Sequence, residues 1–174
     1  MKFYYLIFAF IFITCSNEKS IVLNLKTAEI PISSAVEINT VHTDSGIVSS
    51  IFYSPRMLNF SNAAFPYFKF PKNIEVILID RNNNKTKIIA DYAISYSNSD
   101  LIDLRGNVII STHLLDTLIT DQLYYDRGKE WLFTNYDFRY VSSDKDIFGR
   151  GFDSDKTFEK IKFLEVNGYV SLDE

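Results

Sequence analysis

The sequence predicts an all-β protein on three observations. Hydrophobic residues make up 47% and aromatic residues 16% of the 174 positions, which is enough apolar surface for a chain to fold. The apolar residues are rich in Ile, Val, Phe and Tyr, which suit a pleated, half-buried surface. Short alternating segments separated by Gly, Asn, Asp and Pro recur along the chain, without a stretch of helical period between them.

The first fifteen residues have the pattern of an export signal. Met1 and Lys2 form a short positive region, and an uninterrupted apolar run follows from Phe3 to Ile13. A membrane-spanning helix needs about 20 apolar residues, whereas the apolar region of a secretory signal needs about 7 to 15. We therefore expect residues 1–15 to be a signal peptide of the lipoprotein type, which ends at Cys15.

Cys15 is the single cysteine of the chain and lies directly after this apolar run. Its position resembles a bacterial lipobox, in which the thiol accepts a diacylglyceryl group and the Cys becomes the new N-terminus. Phe12, Ile13 and Thr14 depart from the usual Leu and small residues of that motif. The alternative is an ordinary signal peptide with an incidental cysteine. With Cys15 acylated, residues 16–32 become a tether to a membrane and residues 33–174 the folded domain.

The domain is predicted to contain nine strands, each bounded by turn residues. They are expected at residues 35–41, 47–53, 74–80, 87–96, 101–111, 118–125, 131–141, 147–152 and 160–166. The segment from Phe65 to Pro71 has two prolines around three aromatic residues, so we expect an extended connector that packs its rings on the sheet.

Two of these strands predict one apolar face. In the first, Ile102, Leu104, Gly106, Val108 and Ile110 alternate with polar residues, and in the second Leu132, Thr134, Tyr136, Phe138 and Tyr140 do the same. The chain also repeats itself weakly at an offset of 30, because residues 90–108 align with residues 120–138, and residues 149–170 form a looser third copy. A repeated hairpin predicts strands stacked in series, which form an elongated, twisted β-jelly roll or a V-shaped sheet stack with free edges at its ends.

An apolar trough between twisted sheets can shield acyl chains from water, at roughly 0.8 kcal/mol for each buried methylene. Residues on the dry faces are candidates to line it, although alternation alone does not separate a lining residue from ordinary core. The candidate lipid-binding residues are Val76, Leu78, Ile88, Ile94, Ile102, Leu104, Val108, Ile110, Leu132 and Phe138.

Short motifs, in order from residue 40 to residue 170, make the chain resemble the LptC family of lipopolysaccharide-transport proteins, in the form found in Bacteroidota-type bacteria. The motifs are Thr43-Asp44-Ser45-Gly46, Pro66-Tyr67, Phe70-Pro71-Lys72, Ala90-Asp91-Tyr92-Ala93, Leu104-Arg105-Gly106-Asn107-Val108, Leu118 with Thr120, Leu123-Tyr124-Tyr125-Asp126, Thr134 and Gly149-Arg150-Gly151-Phe152. In the better-studied members a transmembrane helix stands where this chain has its candidate anchor.

The resemblance implies a periplasmic protein, here anchored to a membrane, expected to be the inner one, through Cys15. It implies that the protein binds lipopolysaccharide acyl chains, receives them from an inner-membrane ABC transporter of the LptB, LptF and LptG type, and passes them to a periplasmic LptA-like bridge protein. Strand edges would pair with these neighbours. The alternative is a lipid-anchored β scaffold that interacts by strand addition and has no lipid ligand.

Other functions are disfavoured. The net charge of −4 and scattered Lys and Arg residues argue against nucleic acid as a partner. His42 and His113 lack the neighbours of a zinc site, so no metal or cofactor is expected. The triplet Asp44-Ser45-Gly46 occurs in aspartic proteases, but here it favours a turn. We therefore expect no catalytic residues and no enzyme.

Overall fold

The computed structural model describes residues 30–167, which form eleven β-strands and confirm the all-β prediction. Every pairing is antiparallel, within one continuous sheet. The strands are β1 (Ser33–Asp44), β2 (Ile47–Phe60), β3 (Tyr67–Phe70), β4 (Ile74–Ile79), β5 (Lys85–Ala90), β6 (Tyr92–Tyr96), β7 (Leu101–Ser111), β8 (Thr117–Asp126), β9 (Trp131–Val141), β10 (Asp146–Asp155) and β11 (Ile161–Asn167).

The sheet is a simple meander from β11 to β7 and then divides. Residues 102–105 of β7 pair with β6, whereas residues 109–111 pair with β5. Strand β2 divides in the same way, because residues 50–53 pair with β4 and residues 58–60 pair with β3. The two branches therefore meet again at β2, and six strands, β7, β5, β4, β2, β3 and β6, form a closed ring.

A line of register shifts crosses the meander and bends its strands. The shifts lie between Arg105 and Val108 in β7, between Thr120 and Tyr124 in β8, and between Arg150 and Phe152 in β10. Gly106 and Gly151 have φ of +74° and +77°, a left-handed conformation that glycine adopts without strain. Each bent strand contributes one half to each of two facing layers, as expected for the predicted jelly roll.

Layer A contains β3, β6 and the halves of β7–β11 that continue the sheet from β6. Layer B contains β4, β5 and the halves of β7–β11 that continue the sheet from β5. The apolar core lies between the layers. Its buried members are Phe70, Ile74, Val76, Leu78, Ile88, Ala90, Ala93, Ile102, Leu104, Val108, Ile110, Leu118, Leu123, Tyr125, Leu132, Phe138, Tyr140, Ile147, Phe152 and Phe158.

Two strand predictions need correction. The expected connector contains β3, whose backbone pairs with β2 and β6, because the two prolines flank the paired residues and leave their N–H groups available. The single strand expected at residues 87–96 is broken at Asp91 into β5 and β6. Asp91 donates its N–H to the carbonyl of Gly106 (2.9 Å) and accepts one from Asn73 (2.8 Å), as the chain leaves layer B for layer A.

The alternation predicted in β9 and β7 also fails at the bend. Tyr136 is 54% exposed, although Leu132, Thr134, Phe138 and Tyr140 are buried as predicted. Gly106 takes part in the irregularity of β7 and does not extend its apolar face. In both strands the irregular segment turns one residue away from the apolar face, and the predicted alternation continues on its two sides.

Cys15, the signal segment and most of the tether lie outside the described residues. No helix with the length and hydropathy needed to cross a membrane occurs between residues 30 and 167.

Candidate lipid-binding interior

The structure brings nine of the ten candidate lipid-binding residues to the interior between the layers. Val76, Ile88 and Ile110 lie opposite one another on β4, β5 and β7, and Ile102 and Leu132 flank Tyr125 in the other layer. Ile94 differs from the rest. It is half-buried and pairs with Lys69 and Asp103, on the outer face of layer A. The buried nine are Val76, Leu78, Ile88, Ile102, Leu104, Val108, Ile110, Leu132 and Phe138.

The interior opens at one end into a cavity of about 350 Å³. A volume of 300 to 1,000 Å³ is typical of pockets that hold small ligands. Its wall is mostly apolar, with an edge-to-face contact between Phe52 and Phe70 at a ring-centroid distance of 4.9 Å. The lining residues are Thr40, His42, Ser50, Phe52, Met57, Phe68, Phe70, Val76, Ser95, Ile102, Tyr125 and Arg127.

Val76 and Ile102 are the two sequence candidates in this lining, and the other apolar lining residues were missed. Phe52, Met57, Phe68 and Phe70 come from β2 and β3. The alternation of Phe68 and Phe70 around Lys69 is a sequence signal for a strand with one apolar face, and the flanking prolines obscured it.

Polar side chains also line the cavity, and Arg127 is among them. The Arg127 side chain is partly exposed, with Nη2 3.7 Å from Oδ1 of Asp100, and its Nε donates to the Asp100 carbonyl at 3.4 Å. Burial raises the pKa of Tyr125, so its phenol stays neutral. A mostly apolar wall with one partly exposed arginine suits an amphipathic molecule.

The opposite end of the interior is filled by aromatic rings. Phe138 lies 5.3 Å from Phe163 and 5.8 Å from Phe152, measured between ring centroids. Tyr140 lies 5.6 Å from Phe163 and 6.3 Å from Phe158. Burial, with the nearby charge of Asp116, raises the pKa of Tyr140 to about 12. These rings come from both layers and leave the core closed there.

A polar cluster lies on the outer face of layer A. Asp103 is 1% exposed and accepts hydrogen bonds from Nη2 (2.5 Å) and Nε (3.0 Å) of Arg105. Nε2 of Gln122 donates to the other carboxylate oxygen at 2.8 Å. The hydrogen bond and charge of Asp103 raise the pKa of Arg105, so the guanidinium stays charged. This cluster joins β7 to β8 outside the cavity.

The described residues contain no group of three or more His, Cys, Asp or Glu side chains that could hold a metal ion. The protease-like triplet forms the β1–β2 turn, as expected. Ser45 and Gly46 both have positive φ, and Ser45 Oγ donates to Asp44 at 3.1 Å.

Comparison with known proteins identifies the family. A family model described as lipopolysaccharide-assembly, LptC-related, matches residues 4–170, which is nearly the whole chain. A search of curated proteins found no match. The chain therefore belongs to the LptC-related family of lipopolysaccharide-assembly proteins, and membership implies a periplasmic role in lipopolysaccharide transport.

Proposed function

We propose that this chain carries lipopolysaccharide by its acyl chains in the interior between the two layers. The observation that carries the proposal is the continuity of the open cavity with the apolar core, since Val76 and Ile102 belong to both. Each methylene that leaves water contributes roughly 0.8 kcal/mol. A tail that enters the cavity therefore gains free energy without any reactive group.

The cavity alone is too small for every acyl chain of a multi-chain lipid, so the layers must separate as the lipid enters. The sequence candidates deeper in the core, such as Leu104 and Val108, would then line the widened trough. Parting the layers is feasible because the bent strands join them along one line, and the closed ring of strands gives way to an open stack beyond β7.

The proposed transfer of lipid between proteins uses the two free edges of the sheet. Among the described residues, β1 pairs with β2 alone and β11 with β10 alone, so each presents an unpaired row of backbone groups. Such edges bind a further strand through main-chain hydrogen bonds. We propose that they join the chain to the inner-membrane ABC transporter and to a periplasmic LptA-like bridge protein.

Neighbouring residues of β3 give a sharp test of the lipid site. Phe68 lines the cavity, whereas Lys69 lies on the opposite face, with its ammonium 5.4 Å from the Tyr92 ring centroid. A photoreactive amino acid at Phe68 should form an adduct with lipopolysaccharide in cells with an active transporter, and the same group at Lys69 should not. Equal labelling at both positions, or none at Phe68, would contradict a lipid in the interior.

The second candidate function is a scaffold that pairs by its edges and holds no lipid. The fully packed core around Leu118, Leu123 and Leu132 favours it, because those side chains are 0% exposed. In that case the photoreactive group at Phe68 forms no lipid adduct, while groups on β1 or β11 still crosslink to proteins.

The anchor at Cys15 is a separate proposal, supported by the sequence motif. Mass spectrometry of the mature N-terminus should find a diacylglyceryl group on Cys15, and Cys15→Ser should move the protein from the membrane to the soluble fraction. Stable anchoring needs more than one acyl chain, which this modification supplies. An unmodified N-terminus at any other residue would contradict it.

A further inference from the structure

The turn between β10 and β11, residues 156–160, crosses from layer A to layer B. Thr86 Oγ1, on β5, donates to the carbonyl of Lys156 at 2.9 Å. Lys156 Nζ donates to the carbonyl of Ile79, at the end of β4, at 3.4 Å, and lies 2.5 Å from Oε1 of Glu130. The turn therefore fastens the far end of layer A to β4 and β5, some 70 residues away in sequence.

Phe158, in the middle of this turn, points into the core and not into solvent. It is 7% exposed, and its ring lies 5.5 Å from Phe152 and 6.3 Å from Tyr140, between centroids. Its φ is +63°, a left-handed conformation in which a bulky side chain is an outlier. Tertiary packing holds a strained turn in place, and such strain often accompanies segments that move.

The turn is organised internally and docks through few bonds. Asp155 accepts hydrogen bonds from the Thr157 hydroxyl and from the backbone N–H of Lys160 (2.7 Å), and its carbonyl accepts the N–H of Phe158 (3.2 Å). The hydrogen bonds to Thr86 and Ile79 and the packing of the Phe158 ring on Tyr140 hold the turn against layer B. The turn can therefore swing away as one unit while it keeps its own bonds.

We propose that residues 156–160 form a strap that gates the interior at the β11 end. With the strap docked, the open cavity lies at the β1–β3 end and the aromatic rings close the other end. For an acyl chain to pass from the cavity toward β11, Phe158 must leave the core and the strap must release β4 and β5. This inference rests on the proposed carrier function and adds that passage through the chain is controlled at its C-terminal end.

Hydrogen exchange of the mature protein, with and without lipid A in detergent micelles, tests the gate. Bound lipid A should slow exchange in β3, which lines the cavity, and speed it in residues 154–162, which carry the strap. If β3 becomes protected while the strap is unchanged or also protected, the gate is wrong and the carrier function stands. If lipid A protects neither segment, both proposals fail together.

A variant that loosens the strap without emptying the core provides the second test. Thr86→Val removes one docking hydrogen bond at nearly constant volume, so strap exchange without lipid should rise about fivefold. Release of lipid A should accelerate by a similar factor. Thr117→Val is the matched control, because Thr117 Oγ1 donates to the carbonyl of Leu115 (3.3 Å) in an exposed turn of layer B.

Phe158→Ala should accelerate lipid release further, since the ring itself is the plug. Should this variant fail to fold, Thr86→Val still decides the matter. Unchanged strap exchange and lipid release in Thr86→Val, relative to the wild type and Thr117→Val, would overturn the proposal.

Discussion

Gly149 in β10 should not tolerate a methyl group. A Cβ added there would lie 2.1 Å from the carbonyl oxygen of Glu165 in β11 and 2.8 Å from Cζ of Phe138. Ordinary contacts begin at about 3.5 Å, so the backbone of β11 must move by more than about 1 Å. Because Phe138 also touches Phe152 and Phe163, its ring has little room to yield.

The cost of Gly149→Ala follows from two opposing terms. Overpacking of a well-packed core costs about 1 to 3 kcal/mol, and the displaced β11 pairing places this site in the upper part of that range. Alanine leaves the unfolded chain less flexible than glycine does, and this effect stabilises the folded state by about 0.4 to 1 kcal/mol. We expect a net loss of about 2 kcal/mol in the free energy of unfolding.

Urea unfolding, followed by tryptophan fluorescence of Trp131, measures this loss. With an m-value of about 2 kcal/mol/M, the midpoint should fall by about 1 M. Gly128→Ala is the matched control, since its added Cβ would meet the exposed Asp100 carboxylate at 2.9 Å, the end of a side chain that can turn aside. Equal midpoints for Gly149→Ala and wild type would refute the close approach of β11 to β10.

Three further substitutions test other parts of the fold. Arg105→Met leaves the Asp103 carboxylate buried without its cation. The free energy of unfolding in urea should fall by about 2 kcal/mol, less than for a fully buried pair because the guanidinium is half-exposed. The pKa of Tyr140 is raised to about 12, above the value of about 10 for an unfolded chain. The contribution of Tyr140 to stability is thus complete below pH 10 and lost as pH rises from 10 to 12, and Tyr140→Phe should weaken that loss in alkaline unfolding curves. Gly106→Ala places a methyl 2.9 Å from the Asp91 carboxylate at a φ of +74°, so its thermal midpoint should fall by several degrees, and an unchanged midpoint would contradict the bend at Gly106.

Local pattern was sufficient to predict which faces are dry. Ile102, Leu104, Val108 and Ile110 are all buried, as their alternation predicts, and most strand bounds lie within a few residues of expectation. For Ile94 the same reasoning chose the wrong face. It belongs to a strand expected to run unbroken through residues 87–96, and the break at Asp91 reverses the alternation that follows.

The cavity could not be located from the sequence, because its position depends on where the two layers cease to touch. That place is set by β2, which pairs with β4 in one layer and with β3 in the other. Each pairing joins residues distant in the chain, and the alternation within β2 or β3 is the same whether its apolar face meets protein or an open space. The sequence pattern of Phe52 and Phe70 is therefore that of ordinary core residues, although both line the cavity in the structure.

The internal repeat explains why the bends lie in a line. Adding 30 to the bounds of β7 (101–111) gives those of β9 (131–141), and adding 30 to the span of β5 and β6 (85–96) gives 115–126, which nearly coincides with β8 (117–126). Asp91, where β5 ends and β6 begins, is therefore equivalent to Asp121, which lies in the irregular part of β8. Gly106 is likewise equivalent to Tyr136, in the irregular part of β9. One bent hairpin, used repeatedly, produces both the break and the bulges.

The repeat also sets the turn of the last hairpin apart from its equivalents. The turns at 97–100 and 127–130 contain polar and glycine residues alone, as exposed turns usually do. The turn at 156–160 is one residue longer and carries Phe158, at a φ that favours glycine or asparagine. The two equivalent turns form without a bulky apolar residue. Phe158 is therefore needed for something other than the turn. The contact of its ring with both layers supplies that requirement, and closure of the interior is the consequence.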